Sequence, residues 1–331
     1  MIKKILRELR LTLDSYVTHF SRVDKTPSLF NALQLVPYFL IRRFQGLPLL
    51  LRFIKSSNYK SQSISISQQL PKIELLFIST KKDSSTLVYA IEKARKHSIN
   101  PVSKVIVIVP EAQLSFFFGL LADVSDHLSI EILSEDREID TLNRSLIKKT
   151  MKDRYGWTLQ QFLTVSYCLR SNAAGVLAVN SDTIILRDQV WLDALGTQIL
   201  MESYEYNREY YKLLETVNYN FSKLKKSHIT HHMLFQPKLL HECLDYFNVS
   251  NLSEFIELFM NSVNPKSASP ICAEFEPYAQ FLRMERPGNI KMLKFSNIGV
   301  ERDKNGDLFN LINRFENESQ YNSISLHSWM V

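Results

Sequence analysis

The residues of this chain best suited to chemistry by type and spacing are Asn180, Ser181 and Asp182. They follow Val176, Leu177, Ala178 and Val179, an apolar, partly β-branched run that reads as a buried strand of a parallel sheet. A second apolar run, Thr183 to Leu186, begins at once, so the triplet is pinned between two buried segments. In open α/β sheets ligands gather at the carboxyl ends of strands. A carboxylate there, with an amide oxygen two residues before it, can hold a hard divalent cation such as Mn²⁺ or Mg²⁺ that keeps room for substrate phosphates. The same residue types also make a plain Asx turn.

Further candidates lie downstream. His231 and His232 are adjacent, so in an extended segment their rings point to opposite sides and one of them faces a site. Glu274 and Glu276 share a face if their segment is extended, and paired carboxylates can orient an acceptor hydroxyl or take its proton. A solvated acidic edge is the plain alternative. Trp157 and Tyr278 suit core or rim packing as well as stacking.

The elements that must position these residues read as βα units. Lys72 to Thr80 is a first strand, Ser84 to His97 a helix, and Lys104 to Val109 a second strand stopped by Pro110. Ala112 to Asp123 supplies a helix, Ile130 to Leu133 a third strand, and Thr158 to Leu169 a helix leading into the Val176 strand. Trp191 to Met201 and Pro237 to Phe247 read as further helices, with a Tyr-rich stretch from Tyr204 to Tyr219 between them. This order predicts an α/β fold with a mostly parallel sheet, right-handed crossovers and helices on its flanks. No GxGxxG, GxxxxGK[ST] or GxSxG occurs. Without those glycines a nucleotide-using enzyme must meet its phosphates with side chains or a cation.

Taken in order, the βα units, Arg154-Tyr155-Gly156-Trp157, the helical pair Gln160-Gln161 and the strand ending in NSDTIIL resemble the GT-A glycosyltransferases, in particular a bacterial branch of them. Ser227 to Phe235 is similar to the segment that lines the sugar and acceptor pocket in that family, and Ala273 to Tyr278 to the acidic stretch that follows. The resemblance covers Lys72 to Val331 with short motifs. It implies a GT-A-like (Rossmann-like) domain and a nucleotide-sugar donor. It further implies an Asp-x-Asp motif whose divalent metal bridges the donor's two phosphates. It places Thr80 and Asp83 at the nucleotide's base and ribose, with Trp157, Gln161, Asn180 and Asp182 also on the donor side and Asp140 as a lesser candidate. The family's first acid is Asn180 here, which brings no charge. His327 is the residue that would complete the metal site with Asp182, as a C-terminal histidine does in related enzymes.

Composition fits this frame. The chain has 331 residues, 45% apolar and 22% charged, with no low-complexity tract, which is a globular composition. Three cysteines without CxxC spacing suggest neither a disulfide framework nor a zinc knuckle, and favour a reducing, cytoplasmic compartment. Charge is uneven: residues 1–60 carry eleven Lys/Arg against Glu8, Asp14 and Asp24, a balance of +8 in a chain whose total is +6. That segment predicts a basic helical extension, 61–71 a linker, and 72–331 the catalytic domain. Its apolar stretch from Thr26 to Ile41 is broken by Pro37 and too short to span a bilayer. The extension is therefore either a collar packed on the domain or a helical pair on an anionic membrane surface, which would put the protein peripherally on the inner face. The Tyr-rich stretch reads as a packed or acceptor-side flap, and no nucleic acid is expected.

The function this predicts is transfer of a sugar from a nucleoside-diphosphate sugar to a saccharide or lipid-linked acceptor, in envelope polysaccharide or glycolipid synthesis. The rivals are a non-catalytic binding or scaffold protein that keeps the fold, and a metal-dependent phosphotransfer or hydrolysis enzyme built on Asp182 and the glutamates.

Overall fold

The computed structural model describes residues 69–125, 129–203, 208–218, 220–221, 227–263, 271–294, 297–301, 308–317 and 321–327. The expected extension (1–60) and most of the linker lie outside these residues. In chain order the elements are β1 (Ile73–Ile78), α1 (Ser84–His97), β2 (Val102–Val109), α2 (Leu114–Ser125), β3 (Ile130–Ser134), a single turn α3 (Glu135–Glu138), α4 (Thr141–Met151), α5 (Tyr155–Arg170), β4 (Gly175–Asn180) and β5 (Thr183–Ile185). There follow β6 (Gln198–Glu202), α6 (Arg208–Val217), β7 (His232–Phe235), α7 (Pro237–Tyr246), α8 (Leu252–Ser262), α9 (Phe275–Glu285), β8 (Ile290–Lys294), β9 (Asn297–Glu301), α10 (Leu308–Glu316) and β10 (Ser323–His327).

The main sheet has the order β3-β2-β1-β4-β7, parallel throughout except for β7, which runs antiparallel to β4. It is the expected α/β class: a mostly parallel sheet with helices on both faces. That is why its central strands are apolar on both sides. Alternation along β4 sorts its side chains. Val176 and Ala178 pack with Phe162 and Leu163 of α5, whereas Leu177 and Val179 pack with Leu87 and Ile91 of α1. Asn180 is therefore on the α5 face by register.

At the start of β4 a Cβ on Gly175 would sit 2.9 Å from Leu234 Cδ1, so glycine permits the close seating of β7. Two smaller sheets extend the domain, β5-β10-β9 and β6-β8. In the first, β10 returns antiparallel to β5, and Leu326 N donates to the Asp182 carbonyl at 2.9 Å.

The helix expected over Trp191 to Met201 is not formed. Asp193 Oδ1 accepts from the backbone of Leu195 (2.9 Å) and Thr197 (2.8 Å), and Gly196 takes a φ of +80°, a left-handed turn that glycine adopts without strain. The buried run QILME then forms β6, parallel to β8. Within the Tyr-rich stretch, Arg208–Val217 is helical, while residues 204–207 and 219 lie outside the described residues.

Candidate functional site

The carboxyl ends of β1 and β4 lie side by side, with Ile78 paired to Asn180. Thr80 follows β1 and is exposed; a 3-10 turn over Lys81–Asp83 then leads into α1. The buried Thr86 hydroxyl in the first turn of α1 lies 2.9 Å from both the Asp83 and the Ser181 carbonyls. One donor thus ties the β1–α1 connection to the triplet. On its other side the triplet is held by β10, through Asp182 O and through Thr183 Oγ1, 3.0 Å from Ser325 Oγ. The half-buried Asp182 carboxylate accepts from Thr183 Oγ1 at 3.4 Å.

Because β7 is antiparallel, its amino end meets the carboxyl end of β4. Asn180 N donates to the His231 carbonyl at 2.9 Å, which sets the two residues next to each other. Their side chains also meet: Asn180 Nδ2 is 3.5 Å from His231 Nδ1, and Gln160 Nε2 on α5 is 3.4 Å from Asn180 Oδ1. Sequence reasoning chose Gln161 and missed Gln160 by one position in the helical phase. Gln161 is buried and braces the chain ahead of α9, accepting from Ala273 N at 2.7 Å and donating to Ile271 O at 3.3 Å. Trp157, one turn before Gln160, is 39% exposed and stacks on Tyr210 with centroids 5.9 Å apart. The edge thus brings together Thr80, Asp83, Asn180, Asp182 and His231, with Trp157 on its rim.

Other candidates are used elsewhere. The His232 ring points to the opposite face of the sheet from His231, edge-on to Trp191 at 5.1 Å, and burial drives it down to about 4. It is a core histidine.

Glu274 and Glu276 are not in an extended segment. Glu274 precedes α9 and Glu276 occupies its first turn, so they do not share a face. Glu276 is fully buried and accepts from His228 N and from Gln280 Nε2, both at 2.8 Å; burial pushes its carboxyl up to about 7. It fastens the 227–229 segment to α9. Half-buried Glu274 is also raised to about 7 by burial, against a hydrogen bond from Thr164, one turn beyond Gln160 on α5. Tyr278 is core: its hydroxyl donates to Gln198 Oε1 at 2.9 Å and accepts from Gln236 N at 3.0 Å.

Asp140 caps α4. Its carboxylate accepts from Asn143 N (3.0 Å), Asn143 Nδ2 (2.6 Å) and Leu142 N (2.9 Å), and these bonds, Asn143 N first, lower its pKa. A groove of about 560 Å³ opens at the other edge, where β1 and β2 begin, but its buried carboxylate is spent on its neighbours. Glu74 there accepts from Tyr167 Oη at 2.9 Å and from Ser171 Oγ at 2.8 Å.

A divalent cation on a diphosphate is held by one or two carboxylates together with the phosphates and water. At this edge the described residues offer the carboxylates of Asp182 and Asp83 and the Asn180 amide oxygen, which also accepts from Gln160. No group of three or more His, Cys, Asp or Glu among the described residues could hold a metal ion. The His327 backbone pairs with Glu301 in the sheet that holds Asp182, but its side chain lies outside the described residues. The expected Mn²⁺ or Mg²⁺ site is thus not shown by the described residues.

No protein-family model and no curated protein matches the chain. Among solved structures it is similar to mouse xyloside xylosyltransferase 1, at 10% identity over 78% of this chain and 99% of that one, with a TM-score of 0.44. It is also similar to the galactosyltransferase LgtC in complex with donor and acceptor sugar analogs, at 10% identity over 76% and 86% of the two chains and a TM-score of 0.44. The bifunctional glycosyltransferase WbbM matches at 9% identity, over 77% of this chain and 45% of that one, with a TM-score of 0.40.

Proposed function

We propose that the chain is a GT-A-like glycosyltransferase that moves a sugar from a nucleoside-diphosphate sugar to an acceptor hydroxyl. One observation carries the reading: four separate segments converge at the carboxyl edge of the sheet. They are the β1–α1 connection, α5, the Asn180–Asp182 triplet and the amino end of β7. Hydroxyl, carboxylate, amide and imidazole groups at one strand edge suit a sugar nucleotide.

In the reaction the bond from the anomeric carbon to the phosphate oxygen breaks and its electron pair stays on the diphosphate. A new bond forms to the acceptor oxygen, whose proton passes to a base. Asp182, an acceptor-only group when ionised, would take hydrogen bonds from donor hydroxyls. Thr80 and Asp83 would meet the base and ribose.

The acceptor in this reading is a saccharide or a lipid-linked saccharide of envelope polysaccharide or glycolipid synthesis. The basic residues 1–60 would hold the enzyme at the inner face of a membrane. A catalytically inactive binding protein of the same fold is the second reading, favoured by the lone carboxylate of the triplet.

Thermal-shift and transfer assays across nucleotide sugars, with and without Mn²⁺, test both, since a ligand bound only by the native state raises its stability. The Asp182→Ala protein is expected to fold, because its half-buried side chain lies at the sheet edge, and to lose transfer at least about 100-fold. Full transfer by well-folded Asp182→Ala sinks the role of this carboxylate; binding without transfer by the native chain favours the inactive reading.

A further inference from the structure

We propose that Asn180 is a positioning residue for His231, a link in a relay from Gln160 that holds the imidazole in the tautomer protonated on Nε2. The asparagine at the place of an acid then has a physical reason. Gln160 Nε2 lies 3.4 Å from Asn180 Oδ1, so the Asn180 carbonyl accepts from Gln160. With its oxygen engaged, Asn180 turns its NH₂ toward His231 Nδ1 at 3.5 Å, and an NH₂ group has only protons to offer. Nδ1 must accept. A neutral imidazole that accepts at one nitrogen carries its proton on the other.

The pairing is built into the fold. The 2.9 Å backbone bond from Asn180 N to His231 O keeps the two residues level, and the antiparallel register puts His231 on the α5 face while His232 faces Trp191. An aspartate at 180 would do the reverse. Its carboxylate only accepts, so it would draw the imidazole proton to Nδ1 and leave Nε2 as an acceptor. A cleft that must hydrogen-bond an anion from the histidine side therefore needs the amide.

What His231 does with that proton rests on the glycosyltransferase reading. There Nε2–H donates to the donor's diphosphate, where negative charge builds as the sugar leaves. The relay itself does not depend on that reading.

The ¹⁵N spectrum of the His231 imidazole in the ligand-free full chain, at a pH where the ring is neutral, reads the tautomer directly. The native chain is expected to show Nε2–H, Asn180→Asp to show Nδ1–H, and Gln160→Met to show a mixture, since Asn180 then loses its fixed orientation. Nδ1–H in the native chain, or the same tautomer in all three proteins, overturns the relay. Gln160→Met supplies the same contrast should Asn180→Asp fail to fold.

Calorimetry with nucleoside diphosphate and no added metal tests the second part. Asn180→Asp is expected to weaken binding about tenfold or more, the loss of one charge-assisted hydrogen bond. Unchanged affinity in Asn180→Asp overturns the role of His231 toward the donor. A native chain that shows Nε2–H but binds no nucleotide instead sinks the glycosyltransferase reading while the relay stands.

Discussion

His231 and His232 are neighbours in sequence, yet the pleat of β7 gives them different surroundings and only His232 is sealed in the core. Burial lowers its pKa from 6.5 to about 4, so between these values the unfolded chain binds a proton that the native chain refuses. The stability due to neutral His232 is fully present above pH 6.5 and is lost, by about 3 kcal/mol, as pH falls toward 4. Glu276 and Glu274 act in the opposite sense. Their carboxyls are raised from 4.5 to about 7, so the native chain holds protons that the unfolded chain has released, and stability falls as pH rises through that window. The opposed slopes partly cancel in the native protein. His232→Phe, which keeps an aromatic ring against Trp191, is expected to unmask the carboxyls: urea unfolding should show stability declining steadily from pH 5 to pH 7. A native-like, nearly flat profile in this variant would place the titration elsewhere.

Two positions let individual elements be tested. Asp140→Ala removes the acceptor for Leu142 N and Asn143 N at the start of α4, so it should cost about 1 kcal/mol in chemical denaturation and leave transfer unaltered. A loss of activity at unchanged stability would return Asp140 to the donor site. Gly175→Ala puts a methyl group 2.9 Å from Leu234 Cδ1 in a packed core and should cost about 1–3 kcal/mol. Leu234→Ala in the same chain should recover part of that loss, whereas additive losses would mean that the methyl is accommodated elsewhere.

What was legible in the sequence follows the same physics. The parallel core strands β1, β2 and β4, buried on both faces, read as apolar runs, and α1 showed its helical spacing. β6 was hidden because QILME continues an apolar stretch that resembles a helix until Asp193 and Gly196 are seen to turn it. Nor could the sequence fix which glutamine faces Asn180, since one residue of helical phase swings a side chain by about 100°. The glutamates were misjudged for a related reason. Phe275 to Glu285 is a helix whose first turn is buried, so Glu276 is held by His228 N where an extended chain would have left it beside Glu274.

At the scale of the whole molecule the charge is separated along the chain. Residues 1–60 hold +8 of a total of +6, leaving the rest slightly acidic. Among the described residues no helix is long and apolar enough to cross a membrane. The basic segment, with Ile2, Ile5, Leu6, Leu9 and Leu13 at helical spacing against Lys and Arg, has the composition for surface contact with anionic lipid. Each basic residue near such a surface contributes on the order of 1 kcal/mol, and the attraction fades over a Debye length of about 8 Å at physiological salt. A few engaged side chains suffice for reversible binding. The full chain is expected to co-sediment with liposomes containing phosphatidylserine at low salt, to release at high salt, and to ignore neutral liposomes. Reversing two charges in the full chain, Arg42→Glu with Arg43→Glu, should weaken that binding at least about tenfold, because each change removes one attraction and adds one repulsion. Binding insensitive to lipid charge and salt, or none at all, would identify the extension as a collar packed on the domain.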